Sequence, residues 1–260
     1  MEQYRTLLIL ATLAYLGGLF HAGTALTKRT WHDSRWHALP MLIGFCLTTA
    51  FLYLRGQAVG QCPMKSVSDI LVFISWSVIL LYFLVGGAYR VSLLGLFTAP
   101  LVAGMQILAV FLPGAFPDYP LKGKIIPLVE LHAAVALIAY AAFALSCITG
   151  IMYLLQERLL KKHRIGGLFY QLPPIQDLAK SVRRLSLLGL ILLSAALAMS
   201  FALKQPVSNP KVIFAWAVWL LYAVMGFVMW RHVLSPRQTA WLAVIGFLVP
   251  FVSLWLVTKA

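Results

Sequence analysis

Eight apolar stretches, each about as long as a bilayer-crossing helix, constrain this chain more than any motif in it. They run over residues 7–26, 38–54, 67–88, 93–112, 127–155, 185–203, 212–230 and 239–257. A hydrocarbon core of roughly 30 Å needs about 20 helical residues, so the second stretch is marginal and the fifth is longer than required. None alternates like a porin strand, and in lipid the backbone polar groups must then be satisfied inside helices. The expected fold is all-α: a polytopic membrane bundle of eight transmembrane helices. Composition excludes the soluble alternative, because 62% apolar and 11% charged residues leave too little polar surface to cover a globule of 260 residues. The connections are too short for a separate soluble domain, and a single domain over 1–260 is expected.

Lysine and arginine placement sets the orientation, since basic loops stay on the cytoplasmic side. The odd-numbered loops hold thirteen basic residues, and the even-numbered loops with both termini hold eight, Arg55 and Lys65 among them. Both termini are therefore expected outside, with the run from Arg158 to Arg184 inside. The formal charge of +14 is concentrated in that run. Its place beside two membrane helices points to anionic headgroups of the lipid bilayer as its counterpart, not to nucleic acid. No removable signal peptide is expected, because the first apolar stretch lacks a basic n-region and a small-residue cleavage site. Cys46, Cys62 and Cys147 are scattered singly, with no C-x-x-C for a redox couple or covalent haem attachment.

Short connections at 89–92 and 231–238 make helices three and four, and seven and eight, expected neighbours. Two longer segments on the outer face, 113–120 and 204–211, are rich in proline and turn residues. Helix five carries small residues at helical spacing, Ala133 and Ala141 around Leu137 and Ala136 and Ala144 around Tyr140, which would admit close neighbours. It reads as the central helix.

Ionisable residues within membrane helices are the first functional candidates, because keeping them there is costly. Glu130 and His132 open helix five on the outer side. His132 can ligate a metal through one ring nitrogen, or serve as an interfacial histidine reaching water. Glu130, two residues away, faces another side of the helix. His232 follows Trp230 and Arg231 at the inner end of helix seven, and His21 lies late in helix one, near the same face. On depth alone His21 and His232 could form a bis-histidine haem site, although an interhelical hydrogen bond is the commoner role for a residue such as His21. Trp216 and Trp219, with Tyr222, share a face of helix seven that could cover a porphyrin or simply pack. His32 and His37 belong to a short inner loop with two tryptophans of an interfacial belt. There is no phosphate-binding glycine loop, H-E-x-x-H or serine or cysteine triad, so no enzyme activity is expected.

The run from Glu130-Leu131-His132-Ala133-Ala134 to Phe143-Ala144-Leu145, followed by Gly150-Ile151-Met152-Tyr153-Leu154-Leu155-Gln156-Glu157-Arg158, resembles the cytochrome c assembly superfamily and within it the HemX/YpjD-like branch. Gly60-Gln61-Cys62-Pro63-Met64, Phe73-Ile74-Ser75-Trp76, Leu185 to Gly189, Trp219-Leu220-Leu221-Tyr222-Ala223, and Trp241 with Gly246-Phe247 extend the resemblance over most of the chain. It implies an outer-side haem ligand at His132 and a second haem-binding histidine at His232. The superfamily's tryptophan-rich W-G-x-x-W segment is absent between helices six and seven, where Asn209-Pro210-Lys211 and Trp216 remain, and so is its outer histidine after the last shared helices. What is implied is a reduced, haem-handling or regulatory relative in a bacterial cytoplasmic membrane. It would bind haem b, permanently or in transit, and work with cytochrome c maturation or other membrane-complex subunits. The alternatives are a regulatory or scaffold subunit without haem, for example one acting on haem biosynthesis, and more remotely a small-solute transporter.

Overall fold

A computed structural model describes residues 2–27, 38–86, 94–117, 126–163, 172–203, 210–231 and 234–259. Among the described residues there are eight helices and no strand: α1 Glu2–Thr27, α2 Leu39–Val59, α3 Val67–Gly86, α4 Leu94–Phe111, α5 Pro127–Lys161, α6 Ile175–Ala202, α7 Pro210–Trp230 and α8 Pro236–Lys259. Seven are long and apolar enough to cross a membrane, and α8 contributes a shorter apolar stretch, Pro236–Val252. Large apolar side chains such as Leu13, Phe20, Tyr53, Leu84, Ile191 and Leu220 are exposed on the helix flanks. That outward apolar surface suits lipid and would be an aggregation liability in water. The chain is a multi-pass membrane protein built as a helical bundle.

The helices fall into two compact units, α1–α4 and α5–α8. In the first, α1 packs on α2 and α4, and α3 packs on α4 and α2. The inward stripe of α2 is Met41, Gly44, Thr48, Phe51, Arg55 and Val59, a helical spacing of three and four residues. Gly44 is required there, because a Cβ would lie 2.5 Å from the ring of Tyr15 on α1. Gly60, with φ +66°, ends α2 in the left-handed conformation that glycine adopts at no steric cost. The stretch expected to stop at residue 54 therefore continues through Arg55, which is a buried helical residue and not a loop cation.

Four hydroxyls and one amide tie the first unit together. Thr12 Oγ1 on α1 donates to Gln106 Oε1 on α4 at 2.9 Å, and Gln106 Nε2 donates to Thr48 Oγ1 on α2 at 3.0 Å and Ser75 Oγ on α3 at 3.3 Å. Tyr15 Oη lies 3.4 Å from the same Thr48 oxygen. All four helices thus meet at one buried amide.

In the second unit α5 packs on α6 and α8, and α7 packs on α6 and α8. At 35 residues α5 is roughly 52 Å long, more than a bilayer core needs. Its middle is buried from Ala141 to Ser146 and again from Ile148 to Gly150, as expected of a central helix. Small residues allow the approach: a Cβ on Gly189 of α6 would overlap the ring of Phe143, and one on Gly150 would lie 3.0 Å from the Ala240 carbonyl of α8. α6 begins at Ile175, ten residues before the apolar stretch that announced it, so Lys180, Arg183 and Arg184 are helical. Ser235 caps α8: Gln238 N–H donates to Ser235 Oγ at 3.3 Å, Ser235 N–H donates to Gln238 Oε1 at 2.9 Å, and Pro236 takes the first helical position.

Candidate functional site

Pro127 at the first position fixes the entry of α5, and Glu130 in its first turn complements the positive end of the helix dipole. About half a turn deeper, His132 is half-buried against α6. Its Nδ1 lies 2.8 Å from the backbone carbonyl of Ala196. A carbonyl can only accept, so Nδ1 carries the proton in this contact, and in the neutral ring the lone pair then sits on Nε2. Metal-binding histidines are held in this way, with the second nitrogen donating to a carbonyl or carboxylate that fixes tautomer and ring orientation. An imidazole so held fits one axial position on porphyrin iron. Among the described residues no group of three or more histidine, cysteine or acidic side chains could hold a metal ion.

The tryptophans flank the same helix. Trp219 Nε1 donates to Ser194 Oγ on α6 at 2.8 Å, and Ser194 Oγ donates to the Leu190 carbonyl. Trp216 packs edge-on against Trp219 with centroids 5.4 Å apart and against Phe201 at 5.8 Å. Ser194 and Ala196 are about 200° apart around α6, so the indoles and the imidazole engage different flanks of that helix at nearly one depth. Tyr222 does not continue the tryptophan face. It is buried and stacked on Phe143 with centroids 3.5 Å apart and planes 14° from parallel, which makes it core. Of the other histidines, His21 is exposed on α1 in the first unit, while His232, His32 and His37 lie outside the described residues.

Two partners escaped sequence reasoning. Ala196 contributes only a backbone carbonyl, which no side-chain pattern marks. Ser194 sits in an apolar stretch where serine is common, and only the indole opposite gives it a role.

This arrangement sits in a chain whose residues 64–258 match the family model described as cytochrome C assembly protein. The chain belongs to that family. The match takes in α3 through α8, and the expectation drawn from the Glu130 to Arg158 run holds. Protein HemX of Bacillus subtilis (strain 168) is 24% identical over 221 residues, which cover 82% of this chain and 80% of that protein. Protein HemX of Brevibacillus brevis is 28% identical over 159 residues, 60% of this chain and 58% of its own length. The cytochrome c biogenesis protein CcsA of Chlorella vulgaris is 28% identical over 124 residues, 44% of this chain and 37% of its own. These relatives put the chain on the HemX-like branch of the family, while it spans less than two thirds of the Brevibacillus and Chlorella proteins.

Proposed function

We propose that this protein binds haem b in a bacterial cytoplasmic membrane and takes part in haem delivery for cytochrome c maturation, working with other maturation subunits and catalysing no reaction itself. Membership of the cytochrome c assembly family supports the setting. The observation that carries the haem assignment is the 2.8 Å contact from His132 Nδ1 to the Ala196 carbonyl, which presents Nε2 as a ligand. In this reading His132 would ligate haem iron on the outer side and His232 on the inner side, both termini face outward, and Trp216 and Trp219, which engage the other flank of α6, pack that helix and do not border a porphyrin held by His132. Haem, when bound, would supply a coordination site on iron; the chain's own contribution is to hold one imidazole in the ligating tautomer.

The test is an absorption spectrum of the full-length protein purified in mild detergent from haem-replete cells. A Soret band is expected, together with its loss in His132→Ala and partial recovery on adding imidazole. A colourless wild-type protein, or a band unchanged in both His132→Ala and His232→Ala, would overturn the assignment. A regulatory or scaffold role without haem is favoured by one other observation, the exposed cations gathered at one end of the second unit: Arg158, Lys161, Lys162, Lys180, Arg184 and Arg237. The colourless outcome would select it.

A further inference from the structure

We propose that a groove between α5 and α8, at the C-terminal end of α5, seats the phosphate head group of an anionic phospholipid. The cavity measures about 630 Å³ and is confined to the second unit. Its floor is apolar, made by Ile151, Leu154 and Leu155 of α5 and Val244 of α8. Its rim is basic, made by Arg158 and Lys161 of α5, Lys162, which caps that helix, and Arg237 of α8. Glu157 is the one carboxylate there, and it is already engaged twice, by Lys161 Nζ at 2.9 Å and by Arg237 Nε at 3.4 Å. That pairing bridges the two helices and leaves the charge of Arg158 and Lys162 uncompensated by Glu157. The two stand four residues apart on one helix face, where like charges repel, so an anion between them relieves a local cost.

A solvated helix end could carry these cations without any cavity, since the negative end of the α5 dipole and the bilayer surface both favour them. The floor is what distinguishes the groove. From Ile151 to Lys162 is about 16 Å along the helix, and over that distance the lining passes from aliphatic side chains to ammonium and guanidinium groups. The exposed indole of Trp241 on α8 sits at the transition, the level at which tryptophan anchors to a membrane interface. An amphiphile with acyl chains below and a phosphate above matches that sequence of surfaces, and a free anion would use only the upper half.

Native mass spectrometry of the full-length protein in neutral detergent, titrated with dioleoyl phosphatidylglycerol or dioleoyl phosphatidylcholine, tests this. The anionic lipid should bind several-fold more tightly, and Arg158→Gln with Lys162→Gln should weaken it roughly ten-fold or more. Lys180→Gln with Arg184→Gln removes equal charge from the same end of the unit outside the groove and should change little. Leu154→Trp, which fills the floor and leaves every charge, should also weaken binding; it carries the test if the double variant is not monodisperse. Equal loss in the Lys180 and Arg184 control would make the attraction diffuse and overturn the site. So would displacement of the lipid by millimolar inorganic phosphate, or a haemin-induced spectral change abolished by the Arg158 and Lys162 substitutions. Absence of the Soret band discussed above leaves this proposal standing, because the two readouts share no residue.

Discussion

Arg55 and Asp69 are 1% and 0% exposed, with Arg55 Nε 3.3 Å from Asp69 Oδ1. Two ionised groups so buried need further partners, and both have them. Arg55 Nη2 donates to the Pro117 carbonyl at 2.5 Å, while Asp69 Oδ2 accepts from Ser66 Oγ at 2.7 Å. The guanidinium thereby fastens the segment after α4 to α2 and α3, and Phe116, with φ +57°, is held against Phe51 beside it. Breaking such a pair leaves one charge stranded and costs about 3–5 kcal/mol, whereas replacing both members with apolar residues is often close to neutral. Asp69→Asn should therefore lower the thermal unfolding midpoint of the detergent-solubilised protein far more than the joint change Arg55→Met with Asp69→Leu. A joint variant as damaged as the single one would show that the hydrogen bonds to Pro117 and Ser66, and not the stranded charge, set the cost.

Among elements, the first unit shows how little one hydrogen-bond network must contribute to be structurally central. Gln106 contacts Thr12, Thr48 and Ser75, yet Thr48 and Ser75 donate their own protons to the Gly44 and Val72 carbonyls, and the single Thr12 proton is shared between Gln106 Oε1 and the Leu8 carbonyl. Gln106→Leu consequently orphans no hydroxyl proton, and interhelical hydrogen bonds in membranes average only about 0.6 kcal/mol. A loss of roughly 1–2 kcal/mol in a reversible denaturation titration is expected, with the fold retained; complete failure to fold would mean that the network specifies the packing as well as stabilising it. Helix existence was legible in the sequence because apolar length is a local property. Helix ends were less so wherever a charge interrupted the apolar run without interrupting the helix. Arg55 reads as a stop, yet it lies in register with Thr48 and Phe51; Lys180, Arg183 and Arg184 read as loop, yet Leu178, Val182 and Leu185 keep the buried face of α6 continuous across them. At the candidate site His132 was visible as a costly ionisable residue, but its orientation was not, since that depends on a carbonyl 64 residues away in sequence.

For the whole molecule the governing asymmetry is electrostatic. In the second unit, α5 ends where α6 begins, and that end gathers Arg158, Lys161, Lys162, Lys180, Arg183, Arg184 and Arg237 against Glu157 and Asp177. The opposite end of α5 carries Glu130 and His132. Retention of basic segments on the cytoplasmic side, as in the function proposed above, would orient the unit with Arg184 inside and Ile126 outside. The proposed outer-side role of His132 depends on this direction, because a ligand on the inner face would meet a different haem pool. The chain permits a clean check once Cys46, Cys62 and Cys147 are replaced by alanine or serine. Ile126 is 55% exposed at the start of α5, so Ile126→Cys should react with a membrane-impermeant maleimide in intact cells. Arg184→Cys should react only after permeabilisation. The reverse pattern would invert the topology, leave His132 facing the cytoplasm and remove the basis for an outer-face ligand, whatever the absorption spectrum showed.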